Sequence, residues 1–159
     1  MALVAEDLGA ADAGVLALRD DYGLPGMRVL QWGFSPTSYH APHAVPENAV
    51  VYPGTHDNDT VAGWWRDQSA ATRRRFKAHT GGGASTAAWD MWRTAAATPA
   101  HTAIVQLQDV LGLGRAARTN MPGTAKGNWT WRAAKRDLSA PLARRCRELV
   151  EATDRITAT

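Results

Sequence analysis

Short apolar runs separated by helix-compatible stretches constrain this chain more than any other feature. Four such runs occupy residues 2–5, 27–31, 49–52 and 102–107. Runs of this length bounded by breakers read as buried strands, because a buried helix needs about ten residues or more. Between and after them lie segments with 3.6-residue patterning. Residues 11–21 place Val15, Leu16 and Leu18 on one face and stop at Gly23, and residues 61–78 run toward Gly81, Gly82 and Gly83. Residues 139–156 carry Leu142, Cys146, Leu149, Val150 and Ile156 in an amphipathic stripe. Ser85 is the expected N-cap of a further helix bearing Trp89 and Trp92. Residues 35–48, rich in Pro, His and polar side chains, read as a long loop. Strands alternating with helices predict βα units in a parallel sheet.

At 159 residues and 45% hydrophobic content, residues 1–159 are expected to form one globular unit. Lys and Arg number 18 against 15 Asp and Glu, and apart from Arg73, Arg74, Arg75 and Lys77 they are scattered. Phosphate tracking needs a concentrated basic stripe, so nucleic acid is not an expected partner. The single cysteine, Cys146, has no partner for an internal disulfide, and a reducing cytoplasm is the expected location. No apolar stretch approaches the roughly 20 residues of a membrane span, and the N-terminus carries no leader pattern, so no membrane partner is expected.

In parallel α/β folds the carboxyl ends of the strands carry the chemistry, because side chains from several strands converge there. Here Glu6 and Asp7 follow the first run, Gln31 ends the second, and His56 and Asp57 follow the third. Two carboxyl groups from different strand ends, backed by an imidazole, suit the cleavage of a glycosidic bond. One acid protonates the leaving oxygen while another carboxylate stabilises the oxocarbenium-like centre. Among seven tryptophans, Trp32, Trp64, Trp65, Trp129 and Trp131 follow strand ends or lie in loop-like segments. Aromatic faces give sugars a flat platform, although the commoner role of tryptophan is half-buried packing, and isolated carboxylates more often cap helices. Residue types and spacing alone leave both readings open.

Four blocks decide further: "AEDLG" (5–9), "LRDDYGLPGMRVLQ" (18–31), "VVYPGTHDNDTVAGWW" (50–65) and "NMPGTAKGNWTWR" (120–132). Together they resemble the 4-alpha-glucanotransferases, also called amylomaltases or disproportionating enzymes, of glycoside hydrolase family 77. The resemblance implies a (β/α)8 TIM-barrel enzyme of starch and glycogen metabolism that cleaves an α-1,4-glucan and holds the donor part covalently. That part then passes to the 4-hydroxyl of an acceptor glucose or maltooligosaccharide. No metal or organic cofactor is implied. Carried over by motif, Glu6 is the general acid/base and Asp57 the carboxylate that grips sugar hydroxyls and stabilises the transition state. His56 is the imidazole that hydrogen-bonds the sugar, and Asn58 and Asn120 contact substrate or shape its pocket. Asp7 is expected to brace the rim or cap the following helix, and His40 and His43 to lie on the surface.

The family nucleophile is an Asp in an Arg-x-Asp context upstream of the Glu block, and this sequence offers no counterpart. The chain is therefore expected to supply only the C-terminal half of a barrel, about four strands with their helices, and to be inactive alone. "PHAVP" (42–46) and Lys126 also depart from the usual family pattern and bear on acceptor specificity. The alternative reading is a non-catalytic half-barrel that binds maltooligosaccharide or self-associates through open edges at residues 2–5 and 103–107.

Overall fold

The computed structural model describes residues 3–9 and 12–156. Its sheet has three parallel strands in the order β1 (Gly26–Val29), β2 (Ala49–Tyr52) and β3 (Thr102–Ala103). Gly26 pairs with Ala49 and Val29 with Tyr52, while Val50 and Val51 pair with Thr102 and Ala103. The helices are α1 (Ala13–Asp21), α2 (Val61–Asp67), α3 (Ala70–Thr80), α4 (Ala87–Ala96), α5 (Leu107–Val110) and α6 (Ala140–Ala152). A partial α/β fold with a parallel sheet is thus as expected, but its elements differ from the sequence reading in several places, among them the run 27–31, which leaves the strand after Val29.

The expected strand at 2–5 falls partly on residue 2, outside the described residues, and 3–8 form no strand. Only one ladder-like bond is made there, from Ala5 N to the Pro25 carbonyl at 2.9 Å. The Met27 N–H, which a backbone partner would take, donates instead to the Asp7 carboxylate at 2.7 Å. A side chain thus replaces the ladder. The expected strand at 102–107 ends at Ala103, because Gln106 turns the chain into α5.

The connection from β1 to β2 contains only two single-turn 3-10 segments, Leu30–Trp32 and Pro42–Ala44, in place of a crossover helix. The expected helix over 61–78 is two helices. Gln68 and Ser69 are extended, and the Ser69 hydroxyl caps α3 by accepting from Thr72 N. Arg73 reaches back across the break and donates to the carbonyls of Trp65 and Arg66 at 3.1 and 2.7 Å, satisfying the end of α2. Helix α4 starts after Thr86 rather than Ser85, and α6 begins after its Ser139 cap as the pattern requires.

One core layer lies between the sheet and helices α2 to α4, where Leu30, Phe34, Val51, Val61, Trp64, Phe76 and Met91 are buried together. Phe34 meets Phe76 edge-on at 5.0 Å, and Phe76 also packs on Trp64 and Trp65. A second cluster joins α4 to α6 through Trp89, Trp92, Val110 and Leu149. The Trp89 indole N–H donates to the Val110 carbonyl at 3.1 Å, and Arg145 covers its ring. The patterned face of α1, by contrast, buries no residue.

Charged residues hold the sheet to its surroundings. Asp7, whose side chain is fully buried, accepts from Arg19 at 2.5 Å and lies 3.5 Å from the buried Arg28 guanidinium. Burial alone would raise its pKa, but the Met27 N–H and the two guanidiniums together hold it below the usual carboxylate range. Asp7 therefore braces the rim. The alternative cap of α1 is made by Asp12, which accepts from Val15 N. His40, expected on the surface, is half-buried and its Nδ1 accepts from Val29 N at 3.2 Å, whereas His43 is exposed. Burial and the neighbouring Arg28 lower the His40 pKa, keeping the ring neutral enough to accept that bond.

Asp109 on α5 is 1% exposed and accepts from Val61 N at 2.7 Å, tying α5 to the start of α2. Its second oxygen has no partner, and burial pushes its pKa up to about 7 despite that bond. The folded state thus binds a proton more tightly than the unfolded chain, whose carboxyl titrates near 3.8. Its contribution is most favourable below about pH 4 and is lost as pH rises to about 7, on the order of 4 kcal/mol in all. Asp109→Asn removes this slope. Urea unfolding at pH 4, 5.5 and 7.5 should show the variant gaining on the wild type across that interval, and a difference that stays constant with pH would refute the assignment.

Candidate active site

The loop after β2 is built to leave the sheet sharply and then start α2. Gly54 permits the exit, because a Cβ there would lie 2.5 Å from the Gln31 amide nitrogen. Thr55 and Asn58 close the next turn: the Asn58 side-chain oxygen accepts from both Thr55 N and Thr55 Oγ1 at 2.8 Å. The Thr60 hydroxyl caps α2 by accepting from Gly63 N at 3.2 Å. Held between these two turns, His56 and Asp57 are exposed.

The carbonyls of this loop are secured from the segments that follow β3. The Gln106 amide donates to the carbonyls of Thr55 at 2.8 Å and Gly54 at 3.2 Å. Asn120 N donates to the His56 carbonyl at 3.1 Å, and Arg118 donates to the Asp57 carbonyl at 2.6 Å. Arg118 also donates to the Asn120 carbonyl at 2.7 Å, so one guanidinium spans both loops. Below, Asp59 accepts from Arg115 at 2.7 Å, and Arg115 also pairs with Asp67.

Above this frame lies a cavity of about 350 Å³ lined by Glu6, Leu8, Met27, Tyr52, Gly54, Thr55, His56, Asp57, Ile104 and Gln106. Glu6 and Asp57 therefore face one space at the carboxyl end of the sheet, and His56 stands with them. Asp57 Oδ1 accepts from the Asn120 amide at 2.5 Å and lies 3.4 Å from His56 Nε2. One carboxylate oxygen is thus oriented by neighbours. The site offers two carboxylates, an imidazole and the Tyr52 phenol, whose pKa is raised by burial. Such a set can donate and accept protons and grip hydroxyl groups. No group of three metal-ligating side chains occurs among the described residues.

The remaining candidate residues are placed differently. Asn58 does not line the cavity, because its carboxamide is used in the Thr55 turn. Asn120 does not line the cavity but reaches the site through the Asp57 carboxylate and the His56 carbonyl, and it borders a separate basic cleft with Arg115, Arg118 and Lys126. Gln31, grouped with the rim by sequence, is buried, and its amide donates to the Asp59 carbonyl at 2.7 Å. Trp64 packs in the core, while Trp129 stands 57% exposed beside His56. Gln106 and Arg118 escaped sequence reasoning. The polar Gln106 interrupting an apolar run was the available signal for the first; nothing local marked the second.

Comparison with known proteins identifies the family. The family model described as 4-alpha-glucanotransferase matches residues 1–138. The chain is 44% identical to a chloroplastic/amyloplastic 4-alpha-glucanotransferase of Arabidopsis thaliana, covering 82% of this chain and 23% of the relative. It is 40% identical to a 4-alpha-glucanotransferase of Thermus thermophilus, covering 97% of this chain and 33% of the relative. In structure it is similar to an amylomaltase from Streptococcus agalactiae in complex with acarbose, with a TM-score of 0.92 and 31% identity over 97% of this chain and 32% of that one. The chain thus spans a third or less of each of these proteins. Matched in sequence over most of its length and in structure over nearly all of it, this chain belongs to the 4-alpha-glucanotransferase family.

Proposed function

We propose that the cavity at Glu6 and Asp57 is the bond-breaking site of an α-1,4-glucan transferase, within one half of a (β/α)8 barrel. The observation that carries this reading is the shared cavity: an exposed acid from residues 3–9 and an oriented carboxylate after β2 line the same space at the carboxyl end of a parallel sheet. Its likeness to a protein in complex with acarbose supports an oligosaccharide as the occupant. In the reaction, Glu6 gives its proton to the glycosidic oxygen as the C1–O bond breaks, and a carboxylate captures C1. Glu6 then takes the proton from the acceptor 4-hydroxyl, whose oxygen displaces that carboxylate and forms the new bond. Asp57, held by Asn120, accepts hydrogen bonds from the hydroxyls of the sugar that becomes positive, and His56 beside it holds the same ring.

Maltotriose binding tests the site. Bonds between hydroxyls and a carboxylate contribute about 1.5–3 kcal/mol, so Asp57→Ala should weaken maltotriose binding about tenfold or more by titration calorimetry. Glu6→Gln should leave binding within about twofold. Wild-type affinity in Asp57→Ala would overturn the assignment.

Turnover is a separate matter. The captured C1 needs a nucleophile about 5–5.5 Å from the acid/base, and Glu6 and Asp57 are the only carboxylates among the described residues that line the cavity. With both in other roles, this chain by itself should bind maltotriose without disproportionating it. Glucose release above that of Glu6→Gln would refute the proposal.

The half-barrel reading also bears on association. β1 and β3 are the outer strands of the sheet, and Leu3, Val4 and Ile104 are exposed near its margins. Open edges and bare apolar side chains favour pairing with a second copy. Sedimentation equilibrium at low micromolar concentration should show self-association, and a monodisperse monomer would overturn it.

A further inference from the structure

Trp129 combines three properties that no other aromatic side chain among the described residues shows together. It is 57% exposed, whereas Trp64, Trp89 and Trp92 are each 8% exposed. Its backbone is left-handed, with φ of +60°, a conformation that residues bearing a Cβ adopt at a cost. Its ring lies 5.1 Å from that of His56, inclined by 37°. Burial would explain such strain if it sank the indole into a core, but here the strained residue holds its largest apolar surface in water, next to the candidate active site.

The segment carrying Trp129 is fixed rather than loose. Trp129 N donates to the Thr119 carbonyl at 2.7 Å, closing the loop at its base, and the Asn128 side-chain oxygen accepts from Met121 N at 2.9 Å across its middle. At the same base, Asn120 bonds to the His56 carbonyl and to the Asp57 carboxylate. One set of hydrogen bonds therefore orients the sugar-gripping carboxylate and sets the position of the indole. His56 lines the cavity and Trp129, beside it, does not, so the two inclined aromatic planes lie one at the cavity and one beyond its lining.

We propose that Trp129 is a stacking platform for the glucose ring next to the one held by His56 and Asp57, and so selects for longer α-1,4-glucans. The proposal rests on the site reading given above. The apolar C–H face of a pyranose matches an indole face in size, and consecutive α-1,4-linked rings are turned relative to one another. Two inclined planes fit such a chain better than one flat wall. The gain falls only on chains long enough to reach the indole.

Titration calorimetry on the full chain with maltose, maltotriose and maltohexaose reads this directly, using wild type, Trp129→Gly and Trp129→Phe. Glycine accepts the left-handed backbone, so the Gly variant should melt no lower than wild type. Wild type should bind maltohexaose about tenfold tighter than maltose; Trp129→Gly should lose that step, and Trp129→Phe should keep most of it. Maltohexaose should also shift the tryptophan emission of wild type, and that change should vanish in Trp129→Phe. An unchanged length step in Trp129→Gly overturns the platform while leaving the site at Asp57 standing. Equal weakening at every length identifies Trp129 as a prop for His56 and overturns the platform too. Absence of any binding by wild type overturns both this inference and the reading on which it rests.

Discussion

Four consecutive carbonyls beyond β2, from Gly54 to Asp57, have left the sheet and have no strand to bond. Backbone groups that leave a ladder take new partners, and although the Thr55 carbonyl also accepts from Asn58 N at 3.0 Å, all four find donors from beyond the loop. Gln106 serves Gly54 and Thr55, Asn120 serves His56, and Arg118 serves Asp57. All three donors come from the chain beyond β3. Satisfying the backbone thereby brings residues 106–120 against the loop, and the Asp57 carboxylate inherits its orientation from the same contacts. Stability and site geometry are one constraint here, so a change that frees these carbonyls also frees Asp57.

Local signals carried much of the architecture into the sequence. β2 is a short apolar run centred on Val50 and Val51, and its limits coincide with those read from the pattern. The caps of α3 and α6 are serines placed where an N–H needs an acceptor, though only the second was read as a boundary. What local pattern missed was decided by side chains acting at a distance. Residues 2–5 read as a strand, but Asp7 takes the Met27 N–H, and that competition cannot be seen from an apolar run. The break between α2 and α3 is invisible to periodicity, because Arg73 repairs the carbonyls it exposes.

The candidate site divides along the same line. Glu6, His56 and Asp57 were legible through the blocks that contain them, and the structure brings all three to one cavity. Asn58 lies in a matching block yet spends its side chain on a turn. Proximity in sequence to an active residue says little about which way a side chain faces. Tryptophan composition was equally ambiguous, since an indole next to a sugar site and one in a core look alike in sequence. Exposure separates them: Trp64 completes a core built on Phe76, while Trp129 carries strain to stay outside one.

Adjacent carboxylates at 6 and 7 show how the frame assigns roles. Ala5 N bonds to the Pro25 carbonyl and Asp7 accepts from Met27 N, so residues 5 and 7 are both tied toward the start of β1. Glu6 lines the cavity, whereas Asp7 does not. Glu6 is therefore turned from the guanidiniums of Arg19 and Arg28, which Asp7 neutralises, and toward the cavity. Were Asp7 uncharged, the buried Arg28 guanidinium would lack its counter-ion, while Arg19 would keep Asp20, and Glu6 would be the nearest carboxylate in sequence. An acid captured by that cluster would be drawn away from the cavity. Burying one acid of the pair against arginine is what leaves its neighbour facing the cavity.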